Sequence, residues 1–192
     1  MIVGLTGGIG SGKTTVLNFF KEFENVAVYI ADVEAKKLMN TSPIIREKLI
    51  NAFGEQTFID QDLNRVFLAK IVFNDKQKLQ VLNAIVHPEV AIHFKNFVNK
   101  NKNKAYVLYE NAILFETKND RFCYCVITVY ASLEERISRI IKRDTTTREA
   151  VLDRMKNQFS DEKKMLQSHY VIDNNSLNYM KEKIHRIHNF LT

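Results

Sequence analysis

Cysteine is scarce in this chain. Among 192 residues there are two, Cys123 and Cys125, spaced two apart in an extended apolar stretch. Residues at that spacing on a strand point to the same face, so the pair is badly placed to bridge itself. With no C-x-x-C and no paired Cys/His set, the sequence offers no zinc site, and buried free thiols in a reducing compartment are expected. Long apolar runs are missing too. No stretch reaches the roughly 18 residues of a membrane span, and the N-terminus enters a strand without a signal-peptide pattern, so a cytoplasmic protein with no membrane partner is expected. Internal repeats and low-complexity tracts are also absent. A content of 45% hydrophobic and 26% charged residues is that of an ordinary globule, and 192 residues suit one α/β domain with an insertion or a small lobe.

Glycine is sparse as well, with six in all, but four of them crowd at positions 7, 8, 10 and 12. There the chain reads Gly7-Gly8-Ile9-Gly10-Ser11-Gly12-Lys13-Thr14, a complete G-x-x-x-x-G-K-T run behind the apolar Ile2-Val3-Gly4-Leu5 and ahead of a helix-compatible Thr15 to Phe20. Such a loop lets successive backbone N–H groups converge on a nucleotide phosphate, with the helix N-terminus aimed at the same charge. Gly10, Ser11, Gly12, Lys13, Thr14 and Thr15 are the candidate nucleotide-binding residues; Lys13 can reach the β and γ oxygens, and the Thr14 hydroxyl is the candidate Mg²⁺ ligand. ATP and Mg²⁺ are therefore the expected cofactors.

Strand-like segments at Ile2–Leu5, Val26–Ile30, Ala105–Tyr109, Cys123–Tyr130 and Tyr170–Ile172 alternate with helical patterns. The alternation predicts an α/β fold: a five-stranded parallel sheet with helices on both faces and ligands at the carboxyl ends of the strands. Residues 43–104 are too long for a simple crossover and show helical periodicity in Leu63, Phe67, Leu68, Ile71, Val72 and in Leu79, Leu82, Ile85, Val86. They read as a helical lobe inserted in a core formed by 1–42 and 105–192; the lobe either walls an acceptor pocket or merely adds packing.

The net charge of +6 is unevenly spread, since residues 136–164 hold nine Lys and Arg against five Asp and Glu. Ser132 with Glu135 is a capping-box signal for a helix to about Arg143, on which Arg136, Arg139 and Arg143 share one face. An arginine stripe of this kind is either a solvated face or the wall of a polyanion site. Beyond it, Asp144 to Glu149 is a polar stretch suited to a lid spanning about 144–168, and further helix starts are marked near Thr147, Ser160 and Ser176. The run Asn99 to Lys104 reads as a solvated loop; it lacks the aspartate of a guanine-reading motif, which disfavours a GTP switch. No aromatic RNA-binding motif is visible, so no nucleic-acid partner is expected.

Phosphoryl transfer also needs a group that orients or deprotonates the acceptor. Asp32, just after the second strand, is the candidate, and the alternative is that it caps a helix over Val33–Met39.

The chain resembles the dephospho-coenzyme A kinase family almost end to end. The resemblance is carried by Leu5-Thr6-Gly7-Gly8-Ile9-Gly10-Ser11-Gly12-Lys13, Ala31-Asp32, Leu63-Asn64-Arg65 with Leu68 and Val72-Phe73, and Val86-His87-Pro88. It continues through Leu114-Phe115-Glu116, Arg143-Asp144 with Thr147-Arg148-Glu149, Arg154 with Gln158, and Ile172-Asp173-Asn174. The family resemblance implies a nucleoside-monophosphate-kinase-like core, a lobe that binds coenzyme A and a lid, with ATP phosphorylating the ribose 3′-hydroxyl of dephospho-coenzyme A. It implies that Asp32 activates the acceptor, that Arg65, His87 and Glu116 line the acceptor side, and that Arg139, Arg143 and Arg148 face the phosphates. Asn174 and Asn175 match the loop bordering the adenine. His87 has a second reading, as a residue that hydrogen-bonds a turn at Pro88. Two stretches depart from the family pattern. Ile30 replaces the first carboxylate of Asp-Ala-Asp, and where the family reads Asp-x-Pro-Leu-Leu-Phe-Glu this chain has Glu110-Asn111-Ala112-Ile113-Leu114-Phe115-Glu116. There Glu110 keeps the charge with a longer reach, and Ala112 loses the proline, which removes a constraint on that turn. The alternatives are another small nucleoside or nucleotide kinase of the same loop class and, from a different class, an ATP- or RNA-binding module.

Overall fold

A computed structural model describes residues 1–73 and 75–192, the side chain of Phe73 excepted, so that half of the Val72-Phe73 match lies outside the described residues. The chain divides into two compact units, Met1–Tyr29 with Asn101–Thr192, and Ile30–Lys100.

From the N-terminus, strand β1 (Ile2–Thr6) leads through the glycine loop to helix α1 (Lys13–Phe20), and β2 (Val26–Ile30) follows. The second unit then runs α2 (Ala31–Thr41), α3 (Pro43–Phe53), a two-residue hairpin β3 (Phe58–Ile59) and β4 (Asp62–Leu63), α4 (Arg65–Phe73) and α5 (Lys76–Lys100). The chain returns with β5 (Tyr106–Glu110), β6 (Cys125–Tyr130), α6 (Leu133–Asp144), α7 (Arg148–Met155), α8 (Asp161–Leu166), β7 (Tyr170–Asp173) and α9 (Leu177–Leu191).

The main sheet is five-stranded and parallel, in the order β2-β5-β1-β6-β7. Central β1 pairs Leu5 with Glu110 of β5 on one side and with Ile127 of β6 on the other. Val3, Leu5, Leu108, Ile127 and Val129 are fully buried, as expected of strands covered on both faces. The parallel register sets the chain segments leaving β1, β5, β6 and β7 on one edge, where the glycine loop and the loop after β5 begin. All five expected strands are present, within two residues of their sequence boundaries; Cys123 precedes β6 rather than opening it, and both cysteines are free thiols. Burial pushes Cys123 up to about 12, with Asp120 and Cys125 adding to it, and Cys125 up to about 11.

Helix starts follow local chemistry. Ser132 forms a full capping box with Glu135, while Thr147 and Ser160 accept from the backbone N–H groups of Ala150 and Lys163. α9 starts after Ser176 without a side-chain cap.

The second unit has its own apolar centre: Ile45, Leu49, Phe58, Leu63, Leu68 and Val86, with Leu38, Met39, Leu82 and Ile85 packed against them. α2 packs on α3 and α5, so the unit begins at Ile30, whereas periodicity alone sets the lobe at 43–104. Ser42 caps α3, accepting from Ile45 N–H at 3.3 Å, with Pro43 in the first helical turn. Two sequence readings are corrected here. Pro88 makes no turn: it lies inside α5, where its missing N–H removes one helical bond without ending the helix. The Asn99–Lys104 run is not all loop, because α5 extends to Lys100 before the turn.

Candidate active site

The glycine loop owes its path to backbone freedom. Gly10 and Gly12 sit at φ 81° and 93°, in the left-handed region, and a Cβ on Gly12 would overlap the Asn174 amide. A Cβ on Gly8 would fall on the Arg136 guanidinium, so a side chain at either position would displace the groups that frame the loop. Lys13 lies back over the loop, donating from Nζ to the carbonyls of Gly7 at 2.9 Å and Gly8 at 3.3 Å. α1 starts at Lys13 with no side-chain cap from Gly12, which leaves its N-terminus available to an anion, and Thr14 and Thr15 are exposed in its first turn.

The rest of the loop is held from outside. Ile9 N–H donates to Gln158 Oε1 at 2.9 Å, and Ile9 C=O accepts from Arg136 Nε at 2.8 Å. Asn174 Nδ2 donates to Ser11 C=O at 2.9 Å; Arg139 donates to the same carbonyl at 3.5 Å and to Asn174 C=O at 3.1 Å. Asn174 thus touches the loop itself, while Asn175 is exposed beyond it.

The arginine stripe on α6 is not one uniform face. Side-chain exposure rises from 6% at Arg136 through 38% at Arg139 to 62% at Arg143. Arg136 is turned inward and ion-paired with Asp161, so the reading of a single solvated or ligand-facing stripe fails at that residue. Spacing alone could not reveal this, because its partner lies 25 residues away on another helix. Arg143 bonds its neighbour Asp144, which also binds Arg154, and Arg148 makes a bidentate pair with Glu134 at 2.7 and 2.6 Å. These bonds hold the Asp144 and Glu134 carboxyls below their ordinary range.

Glu116, assigned to the acceptor side from the motif, is engaged inside the first unit. Its Oε1 accepts from Phe159 N–H at 2.7 Å and from Lys164 Nζ at 2.9 Å, while Oε2 is buried and has no partner among the described residues. Lys164 is fully buried and also donates to Ala112 C=O at 2.6 Å. Desolvation lowers its pKa, opposed by the bond to Glu116. The loop after β5 is not slack for want of the family's proline. Asn111 Oδ1 accepts from Ile113 N–H at 2.9 Å and its amide donates to Tyr109 Oη at 3.1 Å, so an Asx turn and Lys164 supply the constraint.

In the second unit, Asp32 is an exposed first-turn residue of α2, and the N-cap is Ile30. Its alternative role as that helix's cap is therefore excluded. Arg65 opens α4 and is exposed. His87 is an exposed position on α5 whose ring is sufficiently withdrawn from water to lower its pKa.

A parallel sheet, a G-x-x-x-x-G-K-T loop running from its central strand into a helix, and an arginine helix beside that loop define a kinase of the P-loop class. The family model described as dephospho-CoA kinase matches residues 1–179. A dephospho-CoA kinase from Bacteroides fragilis is 37% identical over 172 residues, covering 90% of this chain and 83% of the relative. Another from Fusobacterium nucleatum is 37% identical over 178 residues, covering 92% and 90%. Among solved structures, TT1252 from Thermus thermophilus is similar with a TM-score of 0.88 at 30% identity, covering 100% of this chain and 98% of that one. The dephospho-CoA kinase from Campylobacter jejuni has a TM-score of 0.67 at 23% identity, a likeness of fold. The chain belongs to the dephospho-CoA kinase family. It is a phosphotransferase with dephospho-CoA kinase activity, the final step of coenzyme A biosynthesis. No helix among the described residues is long and apolar enough to cross a membrane.

Proposed function

We propose that the γ-phosphoryl group of ATP passes to the ribose 3′-hydroxyl of dephospho-CoA with the glycine loop as donor cradle and Asp32 as acceptor base. The observation that carries the donor half is the loop itself, with Lys13 folded over it and Gly10 and Gly12 in the left-handed region that favours glycine. In this reading the bond from the γ-phosphorus to the ADP oxygen breaks, a bond to the ribose oxygen forms, and the hydroxyl proton goes to Asp32. Lys13 follows charge onto the leaving β-phosphate, and Gly10, Ser11, Gly12, Thr14 and Thr15 line the cradle. Arg139 approaches from α6, already beside Ser11.

Mg²⁺ would neutralise phosphate charge when bound. The exposed Thr14 hydroxyl, directly after the cradle, fits a cation that keeps most of its ligands as water and phosphate oxygen. Arg143 and Arg148 serve the lid: their present partners are surface carboxylates, and exposed pairs are weakly held, so a polyphosphate can compete for them. Asn174 and Asn175 border the adenine. Arg65, His87 and Glu116 are the acceptor-side residues, and the unpartnered Glu116 Oε2 supports a remaining polar role there. The partner in this reading is a small molecule in the cytoplasm, with neither nucleic acid nor membrane involved.

The test is a coupled ADP-release assay over dephospho-CoA, AMP, dTMP and nucleosides. Turnover with dephospho-CoA is expected; fast turnover with AMP or dTMP and none with dephospho-CoA would overturn the reading.

A further inference from the structure

Both backbone polar groups of Ile9, near the middle of the glycine loop, are taken by side chains from outside the loop: the N–H by Gln158 and the C=O by Arg136. Arg136 is 5% exposed, and its guanidinium is ion-paired with Asp161. Gln158 and Asp161 flank one short stretch between α7 and α8. That same stretch is fixed at Phe159 N–H by Glu116, and α8 is fixed by the fully buried Lys164 reaching Glu116 and Ala112. The Ile9 side chain packs beside Ile137, Ile140 and Val151.

Packing alone does not call for this arrangement. Burying an arginine and a lysine costs several kcal/mol per ion before pairing, and apolar residues of similar volume often serve stability as well. A loop with four glycines in six residues, on the other hand, loses much conformational freedom when ordered, so bonds that order it before the nucleotide arrives improve binding.

We propose that residues 158–164 form a positioning clip for the phosphate loop, with Gln158 and Arg136 setting the Ile9 peptides and the Glu116–Lys164 pair anchoring the clip to the loop after β5. Gln158 and Arg136 are positioning residues: they act on phosphate through the loop backbone. The proposal rests on the loop binding ATP, as the kinase reading requires, but not on the identity of the acceptor.

The experiment is calorimetric titration of ATP into the full chain and its Gln158→Met and Gln158→Glu variants, with unfolding midpoints measured alongside. Methionine keeps the length and removes the acceptor, leaving the Ile9 N–H unpaired, so ATP should bind ~10-fold more weakly to a protein that still unfolds cooperatively, at a midpoint only a few degrees lower. Glutamate keeps an acceptor oxygen and should stay within ~3-fold of the parent at 0.5 M salt, where its added charge is screened. Parental ATP affinity in Gln158→Met, or equal impairment of the two variants, overturns the proposal. Should Gln158→Met fail to fold, Arg136→Lys is titrated instead, because it keeps a cation for Asp161 and gives up the Nε–H to Ile9. A ~10-fold loss then supports the clip and parental affinity overturns it. Turnover of AMP in place of dephospho-CoA would overturn the acceptor assignment alone, because the titration contains no acceptor.

Discussion

Around the phosphate loop, order comes from polar groups: Ile9 and Ser11 are held through their backbone by Gln158, Arg136, Asn174 and Arg139. The unit from Ile30 to Lys100 is ordered by an apolar cluster around Ile45 and Leu49, while its three candidate site residues, Asp32, Arg65 and His87, are all exposed. On the donor side the site and its support are therefore one network, and a change in either alters the loop. In the second unit support and site are separate, so Asp32, Arg65 or His87 can be altered while the apolar cluster is left intact, and the reverse.

The largest effect expected from that contrast is at Asp32. Asp32→Asn removes the proton acceptor and, at an exposed helix position, little else; kcat should fall ~10²–10⁴-fold with ATP affinity retained. Near-normal turnover would return Asp32 to an ordinary surface residue of α2. Lys13→Ala should cost somewhat less, ~10²–10³-fold in turnover. It should weaken ATP binding at the same time, since the lysine's charge serves both the bound and the transition state. A loss of turnover with unchanged ATP affinity would show that Lys13 acts only during transfer and would break the picture of one donor network.

How much of this contrast the sequence reveals depends on how local each feature is. The glycine loop is legible because its chemistry is a fixed spacing within eight residues, Gly7 to Thr14. The strands are legible because buried parallel strands are short runs such as Cys125–Tyr130 with Val and Ile at their centre. Ser132, Thr147 and Ser160 mark helix starts by side chains that act on residues three positions ahead. The inward turn of Arg136 depends instead on Asp161, and the hold on Ile9 depends on Gln158, 149 residues away. No periodicity within α6 carries that information. The hairpin of Phe58–Ile59 with Asp62–Leu63 escapes notice because two-residue strands leave no alternation to detect, even though Asp60 at φ 54° makes the turn. The turn at Pro88, one of the two readings of His87, is not there, since the proline lies inside α5, which continues past it to Lys100. Asp32 reads as a possible cap because aspartate is a common capping residue, yet α2 starts one residue earlier, at Ala31, without a side-chain cap.

The apolar side of the comparison is tested at Leu49, which is fully buried in the second unit. Leu49→Ala should destabilise the protein by ~2–5 kcal/mol, read from denaturant unfolding. At a temperature where the variant is still folded, its ATP affinity should match the parent. A weakened ATP affinity in the folded variant would mean that the two units do not carry separate duties.

The smallest effect concerns arginines that the structure leaves on carboxylates. Arg139 already donates to the Ser11 carbonyl, whereas Arg148 is held by Glu134 in an exposed bidentate pair. If Arg148 meets phosphate only by leaving Glu134, then Glu134→Gln should tighten ATP ~2-fold at low ionic strength, and the gain should fade by about 0.5 M salt as screening removes the competition. The magnitude is small because an exposed pair yields its arginine readily in the parent protein too. No change at any salt concentration would place Arg148 outside the phosphate site and confine the charge acting on ATP to Lys13 and the arginines nearer the loop.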